Sequence, residues 1–182
     1  MNSDPVRKYL NSFKTKMPNG YGFNINTNTN TNNDSKIYTL QIKNKIRNRN
    51  AAVLKFTLFN NSMNLTEGNT MVYNKNGNPV WNNQPNGVMT YRGKGFGAFL
   101  RAVATKAGWI AKKNYGTHIG LFTSNLNRKR AMPASTRILA PGWRPTSKSN
   151  LAVRSKFNYI SQPIGEINKF INNIIKKWSN LT

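Results

Sequence analysis

Apolar residues recur at helical spacing in three stretches of the chain. Over residues 4–17, Val6, Tyr9, Leu10, Phe13 and Met17 share one face, with Asp4 placed to cap the helix and Pro5 in its first turn. Pro18-Asn19-Gly20 stops that run. Within Tyr91–Lys113, Leu100, Val103, Ala107, Ile110 and Ala111 form a second stripe, and Arg101, Lys106, Lys112 and Lys113 fall elsewhere. A third helix opens at Gln162-Pro163. Its stripe is Ile164, Ile167, Phe170, Ile171, Ile174, Ile175 and Trp178, with Lys169, Asn172, Asn173, Lys176 and Lys177 opposite. Such a face can lie on a membrane surface, but it more often covers the domain's own core or fills a partner's groove.

Between these helices the period changes to two. Tyr38, Leu40 and Ile42 alternate with Thr39, Gln41 and Lys43, which predicts a strand over Lys36–Lys43. Ala51–Phe59 predicts a longer strand, after a basic turn at Lys43–Asn50. Asn76-Gly77 marks a hairpin between Thr70–Tyr73 and Val80-Trp81. Ile119–Phe122 reads as a strand closing in Thr123-Ser124-Asn125, and Leu151, Val153, Phe157 and Tyr159 read as one or two late basic strands. Two polar stretches read as irregular. Asn24–Asn33 has no apolar residue after Ile25 and is expected to be a mobile loop; Asn60–Asn69, which contains Glu67, is expected to be a turn. The order predicts an α/β or α+β domain with a mixed, mainly antiparallel sheet and flanking helices. Its divisions are an N-terminal helix (1–20), a flexible Asn/Thr-rich loop (21–35), the main domain (36–160) and a C-terminal amphipathic helix (161–182).

Charge changes this picture most. The 182 residues carry 28 Lys+Arg against 4 Asp+Glu, a formal net charge of +24. Asn, Lys and Ile are abundant, as an A+T-rich coding sequence would give, but that bias does not explain the loss of Glu. A field of this size favours polyanions: nucleic acid, an acidic membrane or an acidic protein surface. Lys43, Lys45, Arg47 and Arg49, then Arg128, Lys129 and Arg130, then Arg144, Arg154 and Lys156 are the basic segments, with Trp143, Phe157 and Tyr159 near the last. They can hold phosphates and stack bases. There is no cysteine, which removes disulfides, thiolate metal sites and a cysteine nucleophile, and no metal is expected. The one histidine, His118, has no acid near it in sequence. No apolar run approaches membrane-spanning length and the first residues lack the apolar segment of a signal peptide. The expected location is therefore intracellular and soluble (cytoplasmic), or inside a particle such as a virion.

The densest chemistry lies at Arg92-Gly93-Lys94-Gly95-Phe96-Gly97, at the head of the second helix. Alternate glycines permit positive φ and close approach, and the first amides of a helix have no intrahelical acceptor. That end carries partial positive charge and suits a phosphate or pyrophosphate. These six residues resemble the R/Q-x-x-G-x-G/A loop of the GNAT superfamily of N-acetyltransferases. The strand ending in Ser124-Asn125 and the segment Ile138-Leu139-Ala140-Pro141-Gly142-Trp143-Arg144-Pro145 are similar to that family's later motifs. The likeness spans about residues 88–145. It implies a GNAT-like sheet with two splayed strands and acetyl-CoA as cofactor. It also implies pyrophosphate contacts from Arg92, Gly93, Lys94, Gly95, Phe96 and Gly97, and a contact from Asn125 to the pantetheine arm. Arg128-Lys129-Arg130 would then meet the 3′-phosphate. Where that family often has a Tyr general acid, this chain has Ile138.

Acetyl transfer to an amine needs a proton acceptor and, for the leaving thiolate, a donor. Glu67 is the one acid in the strand region and stands as the candidate base; Tyr91 and Tyr115 are the nearest hydroxyls that could serve as acid. The other function the sequence supports is a catalytically inactive structural or packaging protein, a virion component or nucleic-acid-binding condenser, on a GNAT-like or unrelated scaffold. Loss of coenzyme binding would favour it, and salt-independent binding of polyanions would oppose it.

Overall fold

In a computed structural model, the structure describes residues 4–31, 34–59, 62–80, 89–114, 121–127, 143–145, 154–159 and 164–180. The fold is mixed α+β. Three described helices, α1 (Pro5–Asn11), α2 (Phe96–Asn114) and α3 (Ile164–Ser179), pack with a seven-stranded sheet. Its strands are β1 (Tyr21–Asn30), β2 (Ser35–Asn44), β3 (Arg49–Phe59), β4 (Ser62–Thr70), β7 (Leu121–Asn127), β8 (Trp143–Pro145) and β9 (Arg154–Tyr159). Their spatial order is β1-β2-β3-β4-β7-β9-β8, antiparallel throughout except that β4 and β7 run parallel. A parallel neighbour needs a long crossover, and α2 lies within it. The small strands β5 (Val72–Tyr73) and β6 (Met89–Thr90) form a separate pair beside the glycine loop.

The core sits between the sheet and the helices. Tyr38, Leu40 and Ile42 of β2 are fully buried, as their alternation requires, and Tyr38 stacks on Phe56 of β3 at 5.0 Å. From α2, Phe99, Leu100, Val103 and Ala107 are fully buried. Phe99 gathers Phe13 and Phe23 edge-on at 5.3 and 6.3 Å. The α3 stripe closes on the same core through Ile167, Ile171 and Trp178. Phe170, Ile174 and Ile175 of the same stripe are partly buried against that core, so the protein itself uses this face in good part. Among the described residues no helix is long and apolar enough to cross a membrane.

Three sequence expectations need correction. The first helix does not reach residue 17. It ends at Asn11, and residues 12–16 continue as tighter turns in which the amides of Ser12, Phe13, Lys14 and Lys16 bond three residues back, with Ser12 Oγ also donating to the Tyr9 carbonyl at 2.7 Å. Phe13 still reaches the core.

The Asn/Thr tract is not a loop over Asn24–Asn30. It is the outer half of β1, paired residue for residue with β2 as far as Asn30↔Ser35. Its side chains from Asn26 onward are exposed. Backbone pairing with β2, not burial, holds this edge strand, and the alternating Thr residues suit a pleated surface. Asp34 takes up the tight return at φ 47°. Likewise, residues 62–69 form β4, not a turn. Although rich in polar side chains, β4 is hydrogen-bonded on both sides at its start, to β3 and β7, and buries Met63 and Leu65.

The Asp4 carboxylate is spent on structure. Asp4 Oδ1 accepts from the amides of Val6 and Arg7 at 3.0 and 3.2 Å, while Oδ2 accepts from the Tyr38 hydroxyl at 2.8 Å and lies 3.6 Å from Lys36 Nζ. Burial alone would raise its pKa. The Tyr38 bond, the Arg7 amide, the Lys36 charge and the Val6 amide outweigh it and hold the carboxyl below 3.8. Because the folded value is depressed, this contribution is present above pH 3.8 and disappears as pH falls through the folded value. Asp4→Ala should therefore cost about 1–2 kcal/mol at pH 7. In urea titrations the gap to wild type should shrink below the ordinary Asp range; a gap that stays constant to lower pH would reject the charge-dependent part.

Candidate functional site

At one end of the sheet β4 and β7 part company. They pair from Ser62↔Leu121 to Leu65↔Ser124. Beyond that point β4 continues along β3 to Thr70, and β7 continues along β9 to Asn127, with no described bridge between the two. The divergence begins where β4 carries a bulge: Phe56 faces Leu65 while Lys55 faces Glu67, leaving Thr66 as the extra residue. A bulge bends its strand and ends local pairing. Register places Asn125 first past the split, opposite Lys156, and places Asn127 opposite Arg154.

The glycine loop sits at the open end of this split. Gly93 and Gly95 have φ of 81° and 78°, conformations that strain any residue with a Cβ. Gly97 is glycine for another reason. It lies in the first turn of α2 against β4, where a Cβ would meet Thr70 Oγ1 at 2.8 Å. The absence of that one carbon lets the helix head approach the end of the strand. Among the described residues no group accepts from the amides of Gly93, Lys94, Gly95, Phe96, Gly97 or Ala98, and no acidic side chain stands in the first turn. Arg92, Gly93 and Lys94 are exposed.

Two elements buttress the loop. Beneath it, Phe96 packs on Tyr21 at 4.9 Å and Tyr91 meets Tyr21 and Tyr73 edge-on at 6.3 and 6.2 Å. From the side comes α3. Trp178 packs on Phe96 and Phe99 at 5.4 and 4.8 Å, and its Nε1 donates to the Lys94 carbonyl at 2.7 Å. The Lys94 carbonyl and the Gly95 amide belong to one trans peptide and point opposite ways. Holding the carbonyl on Trp178 therefore aims the Gly95 N–H away from α3.

The electrostatics of this end are one-sided. The β2–β3 hairpin brings Lys45, Arg47 and Arg49 to the same end as the loop, since Tyr21 pairs with Asn44 and Asn44 with Arg49. Arg49 lies over the Tyr73 ring at 5.3 Å. Burial and neighbouring Tyr91 push the Tyr21 phenol up, while Asn44 and Arg47 pull it back. The last turn of α3 adds Lys176 and Lys177. By contrast, Asp4 and Asp34 lie at the far end of the sheet. Glu166 opens α3, which runs antiparallel to α2 because Asn168 bonds Lys106 while Trp178 bonds Lys94.

The structure thus brings Arg92–Gly97, the Lys43–Arg49 hairpin and, by register, Asn125, Arg154 and Lys156 to one end. Arg144 is opposite Asn158, further from that end. Arg128, Lys129 and Arg130, with Tyr115, His118 and Ile138, lie outside the described residues. Glu67 stands on β4 one residue past the bulge, not on a turn. Tyr91 is 3% exposed; its hydroxyl is buried and without a described partner, so it serves first as packing under the loop.

One residue the helical pattern set aside proves central. Arg101 is not on a solvent face: it is 7% exposed, and its Nη2 donates to the Gly68 carbonyl of β4 at 3.2 Å. Its Nε is buried and unpartnered, and burial pushes the guanidinium down to about 10. The signal was present as a lone cation inside the apolar run Ala98-Phe99-Leu100-Arg101-Ala102-Val103-Ala104. No protein-family model matches this chain, and no curated protein sequence matches it.

Proposed function

We propose that the protein is a GNAT-type acyltransferase that binds acetyl-CoA through the Arg92–Gly97 loop and transfers the acetyl group to an amine. One observation carries this reading. Among the described residues the one parallel strand pair parts at a bulge, and a helix head with two left-handed glycines and amides that meet no described acceptor stands at the opening. Splayed strands beside a glycine loop are what the sequence resemblance calls for.

The residues present fit a diphosphate. The backbone donors from Gly93 to Ala98 have no acceptor among the described residues, the missing Cβ of Gly97 keeps the helix head against Thr70, and Arg92 and Lys94 add positive charge. Acetyl-CoA supplies an acyl group already activated as a thioester. The chain's part is to bind, orient and accept a proton. The loop and Asn125 position the donor along the split; free edges of β4 and β7 offer backbone groups to it. Glu67, one residue past the bulge on β4, is the proposed acceptor of the amine's proton, directly or through water. Calorimetric titration of the folded chain with acetyl-CoA should give saturable one-to-one binding; absence of heat at a salt level where the protein is folded removes the proposal.

A second reading, a structural or packaging protein that holds nucleic acid, is favoured by the purely basic character of the loop end among the described side chains. The two readings are compatible if an acyltransferase scaffold carries a polyanion surface.

A further inference from the structure

The two edges of the seven-stranded sheet are built differently. β8 is three residues long, carries Arg144 and ends in Pro145. Short length, a charge and a proline guard an edge against pairing with another chain. β1 has none of these. It runs ten residues and pairs with β2 in unbroken register, without the shifts that interrupt β2–β3 and β3–β4. No charged residue occurs between Lys16 and Asp34, in a chain whose net charge is +24. Among the described residues no strand pairs with the other side of β1. Alternate residues of an edge strand turn N–H and C=O outward, so this side offers a row of pairing groups. Lys45 lies across Gly22, where a Cβ would meet its Cε at 3.1 Å, so the open part begins past that point. There Asn24 and Asn26–Asn30 are exposed. This outer half adds little to the core, and a strand polar on both faces is prone to pair beyond its own chain.

We propose that the outer half of β1 is a homodimer interface, in which the strand pairs antiparallel with β1 of a second copy and the two sheets become one. Charge selects the occupant. Copies of a +24 chain repel, so they meet where neither carries charge, and this edge is such a place. An anionic partner is drawn instead to the basic hairpin and loop at the other end. The residue pattern is also self-complementary. Asn and Thr alternate from Asn26 to Asn30, so antiparallel pairing about Asn28 sets Thr27 of each copy opposite Thr29 of the other. Thr–Thr pairs are favourable cross-strand neighbours. In that register the two Tyr21 residues stand roughly 45 Å apart at the rise of a strand residue. The basic β2–β3 hairpins lie at the Tyr21 ends and are therefore several Debye lengths from each other. Each has the other copy's Asp34 end alongside it instead. Because β8 is guarded, pairing uses β1 of both copies and closes as a twofold dimer, not a filament. This inference does not rest on acyl transfer.

Sedimentation velocity of the full chain, freed of nucleic acid, across a concentration series tests this. One strand pair buries less than a standard interface, so a weak, reversible dimer is expected. Its affinity should rise about tenfold from about 50 to about 500 mM salt, because screening relieves the repulsion between copies. Polyanion binding has the opposite salt dependence. Thr27→Lys/Thr29→Lys sets like charges opposite each other and should weaken the dimer by about tenfold or more. Both positions are exposed, so the thermal midpoint of the monomer should not move. Thr27→Glu/Thr29→Glu should weaken its own dimer likewise, which keeps the test decisive if the Lys variant does not fold. Mixed, the two variants should form a one-to-one heterodimer tighter than either alone, since Lys then faces Glu. A monomer at every concentration and salt, a dimer that both variants leave unchanged, or association that grows past two copies overturns the proposal. So does association that weakens as salt rises, which marks copies bridged by bound polyanion. None of these outcomes alters the acetyl-CoA titration, which stands or falls by itself.

Discussion

Trp178→Ala should destabilise the protein by about 3–5 kcal/mol, the range for deleting a large aromatic side chain from a packed core. Trp178 is 3% exposed and wedged against Phe96 and Phe99, so removing it leaves a cavity between α3 and the head of α2. It also leaves the Lys94 carbonyl without its donor. Trp178→Phe separates the two effects. It keeps most of the ring contact and loses the hydrogen bond, for about 1 kcal/mol. Because that bond aims the Gly95 amide, the Phe variant should weaken acetyl-CoA or pyrophosphate binding more than its small stability loss accounts for. Urea denaturation and calorimetry of both variants give the answer. An Ala variant as stable as wild type would mean that α3 is not docked on α2 in solution.

Binding to single-stranded nucleic acid should fall about 10³-fold between about 50 and 200 mM salt and be indifferent to sequence. The basis is the loop end, where Lys45, Arg47, Arg49, Arg92 and Lys94 project with no described acid among them. Each phosphate neutralised releases counterions, so affinity is a steep function of ionic strength. The double variant Lys45→Glu/Arg47→Glu should flatten the salt slope by about two contacts, while a pair at the far end, Lys8→Glu with Lys36→Glu, should change it less. Filter binding across a salt series measures this. Affinity that does not change with salt would remove the polyanion surface, and equal effects from both pairs would remove its location.

The two sets of results bear on each other. A diphosphate in the glycine loop and a polyanion on the surrounding rim draw on the same field, so competition between pyrophosphate and nucleic acid is expected if both readings hold. The acids whose side chains are described stand away from the loop, capping α1, turning the β1–β2 hairpin and opening α3, while Glu67, the candidate base of the acyltransfer reading, lies on β4 beside the bulge.

How far the sequence could be read depended on what each residue's neighbours were. Tyr38, Leu40 and Ile42 announced β2 because alternation is a local property and one face had to be buried. The α3 stripe and the α2 stripe were legible for the same reason at period 3.6. The glycine loop was legible because positive φ and an uncapped helix head leave a compositional trace. The Asn/Thr tract and residues 62–69 were read as irregular because their side chains carry little apolar signal. They are strands because a neighbouring strand supplies backbone partners, and that information lies elsewhere in the chain.

By itself, then, the order of residues determined the helical stripes, the inner strands, the glycine-rich helix head and a net charge of +24. Only tertiary structure decided that β4 and β7 part at Thr66, that Trp178 clasps the loop, and that Arg101 faces β4 instead of water. Periodicity reports which side of an element is apolar. It cannot report that a cation on that element will meet the open edge of a strand 33 residues earlier, because such a meeting depends on how two separate surfaces are brought together.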